Sequence, residues 1–130
     1  MSKMVLVADE PWVVNEVKAA LAGEPWNYVE VSDPKQVTEV VEQTMPDAVV
    51  VDLQVDSMGG MAITRDIRQK VDPRPRVVLL LDRHADTFLA RRAGADAAVV
   101  KPIDGFELRW ALSGDAGALE EQAGHEDEEE

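Results

Sequence analysis

Acidic residues and one lysine stand at the ends of short apolar segments, where they could do chemistry. The segment 4–8 is followed by Asp9 and Glu10, 47–52 ends in Asp52, 76–81 precedes Asp82, and 96–100 precedes Lys101. Carboxylate oxygens are ligands that magnesium prefers in proteins, usually beside phosphate oxygens. A lysine opposite such carboxylates can neutralise phosphate charge. These residue types indicate phosphoryl transfer to or from an acidic group, if the fold brings them together.

Apolar runs and amphipathic stretches alternate along the chain and predict the elements that would position these residues. Four of the five runs are nearly continuous in apolar residues, as strands buried on both faces are. The runs are 4–8, 28–31, 47–52, 76–81 and 96–100. The stretches with helical spacing are 11–22, 34–45, 60–70, 84–93 and 104–113. Asp33 and Asp104 stand where helix N-caps are expected.

Five β-α units in strict alternation predict a single α/β domain with a parallel sheet covered by helices on both faces. In such open sheets, ligands bind beyond the carboxyl ends of the strands. Asp9, Asp52, Asp82 and Lys101 are therefore expected along one edge of the sheet.

Length and composition exclude several other classes of protein. The chain has 130 residues, 13 of them basic and 26 acidic, and a formal charge of −13. The absence of cysteine excludes disulfide scaffolds, thiolate metal sites and cysteine nucleophiles. No signal peptide or membrane span is expected, which favours a cytoplasmic protein without membrane contact. The acidic balance argues against nucleic acid as a partner, because a binding face for it would be basic.

The last residues differ from the rest in composition. Residues 115–130 hold eight acids and no lysine or arginine, and Leu119 is their only large apolar residue. Such a segment buries too little apolar surface to offset the entropy of ordering. We predict a domain over 1–114 and a disordered acidic tail over 115–130, with a docking role for the tail as the alternative.

Three segments follow one another over residues 1–113: KMVLVADEP, VVVDLQVDSMGG and GADAAVVKPID. Through them the sequence resembles the receiver domain of two-component response regulators. The segment VVVDLQVDSMGG, with Asp52 and Gly60, matches the phosphoacceptor segment of that family. GADAAVVKPID, with Lys101 and Pro102, matches the last strand, and KMVLVADEP matches the first strand and its acidic loop.

The resemblance implies a flavodoxin-like (CheY-like) doubly wound sheet of five parallel strands in the order 2-1-3-4-5. It implies that Asp52 accepts a phosphoryl group from a histidine kinase or a small phosphodonor. It implies Mg²⁺ as cofactor, held by Asp9, Asp52 and the backbone carbonyl of Gln54. It also implies that Lys101 pairs with the phosphoryl oxygens, that the Lys101-Pro102 bond is cis, and that the chain is not an enzyme but a signalling module.

The acidic loop departs from the family pattern. The family has two consecutive acids before Glu-Pro, whereas this chain has Ala8 and Asp9 before Glu10 and Pro11. Aligned on Glu-Pro, Ala8 replaces the first acid, and this register needs no gap. The alternative register pairs Asp9 and Glu10 with the two acids and makes Glu10 a further metal ligand.

The residues that relay phosphorylation in the family are also replaced. The family hydroxyl at the end of the fourth strand corresponds to Leu81 or Asp82, depending on a gap, and neither has a hydroxyl. Ala98 stands where the family has its aromatic switch residue. These positions, together with Ala8, are degenerate, so the usual switching route is not available.

The sequence therefore supports two main hypotheses. The first is a stand-alone receiver, phosphorylated at Asp52, that acts through an unidentified protein partner. The second is an interaction module that works without phosphorylation, and an unrelated flavodoxin-like enzyme with a flavin or cobalamin is a third. Trp110 is either a core residue or a partner contact. The expected oligomeric state is a monomer or a weak homodimer.

Overall fold

The computed structural model describes residues 2–54 and 59–113, in which strands and α-helices alternate as the sequence predicts. The strands are β1 (Ser2–Val7), β2 (Trp26–Val31), β3 (Ala48–Asp52), β4 (Arg76–Leu81) and β5 (Ala97–Val100). The helices are α1 (Pro11–Ala20), α2 (Val37–Thr44), α3 (Gly60–Lys70), α4 (Thr87–Ala93) and α5 (Gly105–Leu112).

All neighbouring strands pair in parallel, in the order β2-β1-β3-β4-β5. The predicted flavodoxin-like sheet is thus confirmed. The chain starts in the middle of this sheet and runs first to one edge and then to the other. Sheets with such a reversal of strand order open a crevice at the carboxyl ends of the strands beside the reversal, here those of β1 and β3.

Alternate residues of each strand enter two separate cores, one on each face of the sheet. Along β1, Val5 and Val7 face the core that α2, α3 and α4 cover. Met4 and Leu6 face the core that α1 and α5 cover. Because both faces of the sheet are buried, β1, β3, β4 and β5 are nearly continuous in apolar residues, whereas β2, at an edge of the sheet, is not.

Two predicted helices begin differently from the sequence expectation. One turn of 3₁₀-helix, at Pro34–Gln36 and at His84–Asp86, precedes α2 and α4 respectively. The predicted N-caps at Asp33 and Asp104 are present, since each side chain accepts a hydrogen bond from the backbone N–H two residues later. The expected cis bond at Lys101-Pro102 is present, and Asp72-Pro73 is cis as well.

Two further expectations concern the C-terminal residues and membrane-spanning helices. The domain boundary at 114 and the acidic tail over 115–130 lie outside the described residues, and so stay predictions. Among the residues that the structure describes, no helix is long and apolar enough to cross a membrane.

Gly60 begins α3 in close contact with the end of β3. Its N–H donates to the carbonyl oxygen of Leu53 at 2.9 Å. A Cβ atom at this position would lie 2.5 Å from the carbonyl oxygen of Asp52 and 3.0 Å from a methyl group of Leu79. Only a residue without a side chain allows α3 to start so close to Asp52.

We expect Gly60→Ala to lower the free energy of unfolding by about 2 kcal/mol, because the added methyl group must push β3 and α3 apart. Urea unfolding followed by circular dichroism measures this change. Arg65→Ala, at an exposed position of the same helix, is the control and should change stability by no more than about 0.5 kcal/mol. Equal stability of Gly60→Ala and the wild-type chain would contradict the close contact.

Candidate functional site

Asp52, Asp82 and Lys101 meet at the carboxyl edge of the sheet. Asp52 is the last residue of β3, while Asp82 and Lys101 directly follow β4 and β5. The Lys101 Nζ atom donates to Asp52 Oδ1 at 2.5 Å and to Asp82 Oδ1 at 3.2 Å. The convergence that the strand ends predict is present for these three side chains.

The three charged groups are buried to very different extents. Asp52 is 1% exposed, and the Lys101 and Asp82 side chains are 11% and 43% exposed. A buried carboxylate costs much free energy unless an opposite charge and hydrogen bonds compensate it. Lys101 supplies that compensation for Asp52, and Asp82 contacts the same ammonium from the solvent side.

The environment shifts the pKa values of both buried groups. Burial raises the pKa of Asp52 above its usual value, and the negative charge of Asp82 adds to this effect. The hydrogen bond and charge of Lys101, with the backbone N–H of Gln54, oppose it without cancelling it. Burial lowers the pKa of Lys101, but its hydrogen bonds and charge interactions with Asp52 and Asp82 outweigh this and raise it. Lys101 therefore remains a cation at neutral pH.

Trp12 lies near the mouth of this site, as its sequence position predicts, and the structure adds its contact with Lys101. The Lys101 Nζ atom lies 5.4 Å from the centroid of the Trp12 ring, within the range of a cation–π interaction. Trp12 lies in the first turn of α1 and is 53% exposed. The signal in the sequence was its position directly after Pro11, at the start of the helix that follows β1.

The remaining predicted metal ligands, Asp9, Glu10 and Gln54, lie in the loops that follow β1 and β3. Asp9 and Glu10 are exposed in the loop between β1 and α1. Asp9 lines a cavity of about 560 Å³ beside α1 and β2. Gln54 lines another cavity, of about 590 Å³, which Asp82 also lines. Asp9 and Gln54 thus line different cavities.

The chemistry of the donor set fits magnesium. Asp9, Asp52 and the Gln54 carbonyl offer hard oxygen ligands. Two carboxylates, those of Asp52 and Asp82, contact the single ammonium group of Lys101, so negative charges outnumber positive ones there. In the described part of the chain, no three His, Cys, Asp or Glu side chains form a cluster that could hold a metal. Magnesium needs only one or two carboxylates, however, and takes its other ligands from carbonyls, water and phosphate.

The structure places each of the degenerate positions. Ala8 is buried at the end of β1, in the core beneath α1 and α5. Leu81 is fully buried in the opposite core, so that Asp82, and not Leu81, points to Lys101. Ala98 is buried in the same core as Leu81. The sequence leaves Leu81 and Asp82 as alternatives for the position of the family hydroxyl. In the structure Asp82 occupies that position and brings a carboxylate to it.

Trp110 lies in α5 and is partly buried against the core that α1 and α5 cover. Phe106, one turn earlier, is 71% exposed. Packing therefore accounts for part of the Trp110 ring, and its contact with a partner stays a prediction.

The family comparison agrees with this geometry. The sequence model of the response regulator receiver domain matches residues 4–113. The chain therefore belongs to the response regulator receiver domain family. Modules of this family serve in two-component signalling and interact with histidine kinases or phosphodonors.

Individual relatives give the same result. The transcriptional regulatory protein TrcR of Mycobacterium tuberculosis is 30% identical over 113 residues, which are 86% of this chain and 44% of TrcR. The DNA-binding response regulator MtrA of Mycolicibacterium smegmatis is 29% identical, over 82% of this chain and 46% of MtrA. The chain thus spans less than half the length of these curated relatives.

Solved structures share the fold. A LuxR-family two-component response regulator from Aurantimonas sp. SI85-9A1 superposes with a TM-score of 0.80 at 29% identity, covering 99% of this chain and 97% of that one. The receiver domain of the sensor histidine kinase PA1611 from Pseudomonas aeruginosa has a TM-score of 0.76 at 24% identity, covering 86% and 94%. That domain was solved with a magnesium ion coordinated in its active site cleft.

The raised pKa of Asp52 predicts how Asp52→Asn changes stability with pH. A carboxyl group whose pKa is raised on folding stabilises the fold below its unfolded pKa of about 3.9 and loses this effect as the pH rises through the folded value. Removing the charge should therefore raise the free energy of unfolding near neutral pH by about 1 kcal/mol. The gain should shrink as the pH falls and vanish below about pH 3, where both states carry a neutral carboxyl group.

Urea unfolding at a series of pH values measures this dependence. Glu42→Gln, at an exposed position of α2, is the matched control and should leave stability within about 0.5 kcal/mol. A loss of stability in Asp52→Asn near neutral pH would show that the ion pair with Lys101 outweighs the cost of burial.

Proposed function

We propose that this chain is a stand-alone receiver that accepts a phosphoryl group on Asp52 in a phosphorelay. The observation that carries this proposal is the contact between the Asp52 carboxylate and the Lys101 ammonium at 2.5 Å, at the open edge of the sheet. A histidine kinase or a small phosphodonor would supply the group. The signal would then pass to an unidentified protein partner by contact, without an enzymatic activity toward another substrate.

The transfer itself is a displacement at phosphorus. An oxygen of the Asp52 carboxylate attacks, a new O–P bond forms, and the bond from phosphorus to the donor nitrogen or oxygen breaks with its electron pair. Lys101 stays within hydrogen-bonding distance and neutralises charge on the phosphoryl oxygens. Such reactions need positioning and charge stabilisation more than covalent help from the protein.

Asp9, Asp52 and the backbone carbonyl of Gln54 would hold Mg²⁺, and Glu10 would join them in the alternative register of the loop. The bound ion neutralises negative charge on the phosphoryl group and the carboxylates. The magnesium coordinated in the PA1611 receiver domain supports this assignment. Without the ion, the excess of carboxylates around Lys101 opposes the approach of an anion.

Phosphorylation is tested by intact mass after incubation with acetyl phosphate and MgCl₂. The wild-type chain should gain the mass of one phosphoryl group, and Asp52→Asn should gain none, because an amide oxygen cannot act as the nucleophile. Glu42→Gln, which also loses one carboxylate, should gain the group as the wild type does. A full gain in Asp52→Asn would contradict the assignment of the acceptor, and no gain in the wild type would contradict phosphorylation by small donors.

Asp82 should slow the transfer because it brings a second negative charge to the phosphoryl position. One unit charge at about 4 Å contributes about 1 kcal/mol in water, which corresponds to about fivefold in rate. We therefore expect Asp82→Ser to be phosphorylated about fivefold faster than the wild type. Asp82→Glu is the control that keeps the charge and should show no such gain.

A time course of intact mass at fixed acetyl phosphate and MgCl₂ gives these rates. A slower reaction in Asp82→Ser would show that Asp82 assists the transfer, for example by contributing to the magnesium site.

The second candidate function is an interaction module whose state does not depend on phosphate. It is favoured by Asp82, which already fills the place of an anion on Lys101, and by Ala98, which leaves no aromatic switch. If Asp52→Asn leaves every partner interaction unchanged, this second function replaces the first.

The remaining parts of the proposal concern the cellular setting. We place the chain in the cytoplasm as a monomer or weak homodimer, without nucleic acid or membrane as a partner. The stand-alone part of the proposal is a statement about the length of the native protein. The mass of the native protein in its own cells tests this part, because the curated relatives are about twice as long.

A further inference from the structure

The basic residues of this acidic chain are concentrated in one segment. Residues 60–94, from α3 to the end of α4, contain eight basic and four acidic residues, a net charge of +4. The rest of the chain contains five basic and 22 acidic residues. Residues 60–94 are therefore a positively charged segment in a protein whose total formal charge is −13.

Four arginines of this segment form an exposed basic face, which we call the α3–α4 arginine face. They are Arg65 and Arg68 on α3 and Arg91 and Arg92 on α4, and all four are exposed. Among residues 2–54 and 59–113, no carboxylate forms an ion pair with any of them.

Direct contacts connect the two halves of this face. The aliphatic part of the Arg68 side chain packs over Gly94, at the end of α4, where a Cβ atom would lie within 3.0 Å of it. The guanidinium groups of Arg91 and Arg92 lie 5.6 and 5.7 Å from the ring centroid of Phe88, which is 51% exposed. Arg68 thus contacts the end of α4, and Arg91 and Arg92 flank an exposed aromatic ring on the same helix.

The negative ends of the helix dipoles compensate only part of the positive charge of this face. Arg68, Arg91 and Arg92 lie in the last turns of their helices, where a cation is favourable. Each helix end contributes a partial charge of only about −0.5. The face therefore remains positive and can bind an acidic segment.

The chain leaves the described structure at the end of the sheet where α4 also ends. α5 ends at Leu112, and the carbonyl oxygen of Ala111 accepts a hydrogen bond from Arg76 Nε at 2.7 Å. Arg76 begins β4, and the next residue, Val77, is hydrogen-bonded to the Asp96 side chain just beyond Gly94. The end of α5 and the end of α4 thus lie at the same edge of the sheet.

Residues 115–130 match this face in charge and in reach. They contain eight acids and no lysine or arginine. Sixteen residues span at most about 55 Å when extended, whereas a domain of this size has a radius of gyration of about 13 Å. The segment can therefore reach every arginine of the face from Ser113.

We propose that residues 115–130 bind the α3–α4 arginine face of the same chain. Single exposed ion pairs contribute little, so several acids must engage the four arginines together. The short connection helps, because a tethered segment acts at an effective concentration in the millimolar range. The bound segment would cover Phe88 and the arginines, and an acidic partner would have to displace it. This proposal does not depend on phosphorylation of Asp52.

The lack of cysteine allows a direct test in the full chain. Ala123→Cys carries a nitroxide spin label in the acidic segment, and amide NMR signals of the domain report which residues it approaches. At about 50 mM NaCl, signals of residues 65–69 and 87–93 should lose at least about half of their intensity. At about 0.5 M NaCl the loss should largely disappear, because the Debye length falls to about 4 Å.

Two double variants with equal charge change separate this face from general electrostatics. Arg91→Gln with Arg92→Gln should reduce the intensity loss at least about twofold. Lys18→Gln with Lys35→Gln, which removes two charges from α1 and the turn before α2, should not reduce it.

Three results would overturn the proposal. One is the absence of intensity loss on α3 and α4 at low salt, and another is a loss that high salt does not relieve. The third comes from a mixture in which the spin label and the ¹⁵N label are on different molecules. Equal intensity loss in that mixture would assign the contact to a second copy of the chain.

Discussion

The burial of the Asp52 carboxylate beside Lys101 is the constraint around which the functional edge of this protein is arranged. A parallel sheet brings the carboxyl ends of its strands to one edge, and here that edge buries a carboxylate almost completely. The ammonium of Lys101, delivered by the end of β5, makes this burial tolerable. Gly60 lets α3 begin against the carbonyl of Asp52, and Trp12 covers the same ammonium from α1. Residues at the ends of two strands and at the starts of two helices are thus arranged around one buried charge.

The sheet and its functional edge could be predicted from the sequence because their signals are local. Buried parallel strands require continuous apolar runs, and the ends of these runs located Asp52 and Lys101 along the chain. The caps at Asp33 and Asp104 depend on hydrogen bonds that reach only two residues, so the sequence contains all the information.

Other features depend on contacts between distant segments, which no local pattern specifies. The choice between Leu81 and Asp82 depended on a gap of one residue, and one step along a strand moves a side chain from one face to the other. In the structure Leu81 enters the core and Asp82 contacts Lys101. The ring of Trp12 reaches Lys101 across 89 residues of sequence. The four arginines form one face only because α3 and α4 pack side by side on the same face of the sheet.

The outer strands of the sheet have a further consequence for the behaviour of this protein at high concentration. β5 has only four residues, and β2 carries Glu30, whose carboxylate is paired with Lys18 at 2.6 Å. Exposed strand edges promote aggregation when they are long, flat and apolar, and short or charged edges resist it. Both margins of this sheet therefore discourage strand addition between molecules, and the charge of −13 adds long-range repulsion. A receiver domain with such strand edges can in this way accumulate without joining its sheets into fibrils.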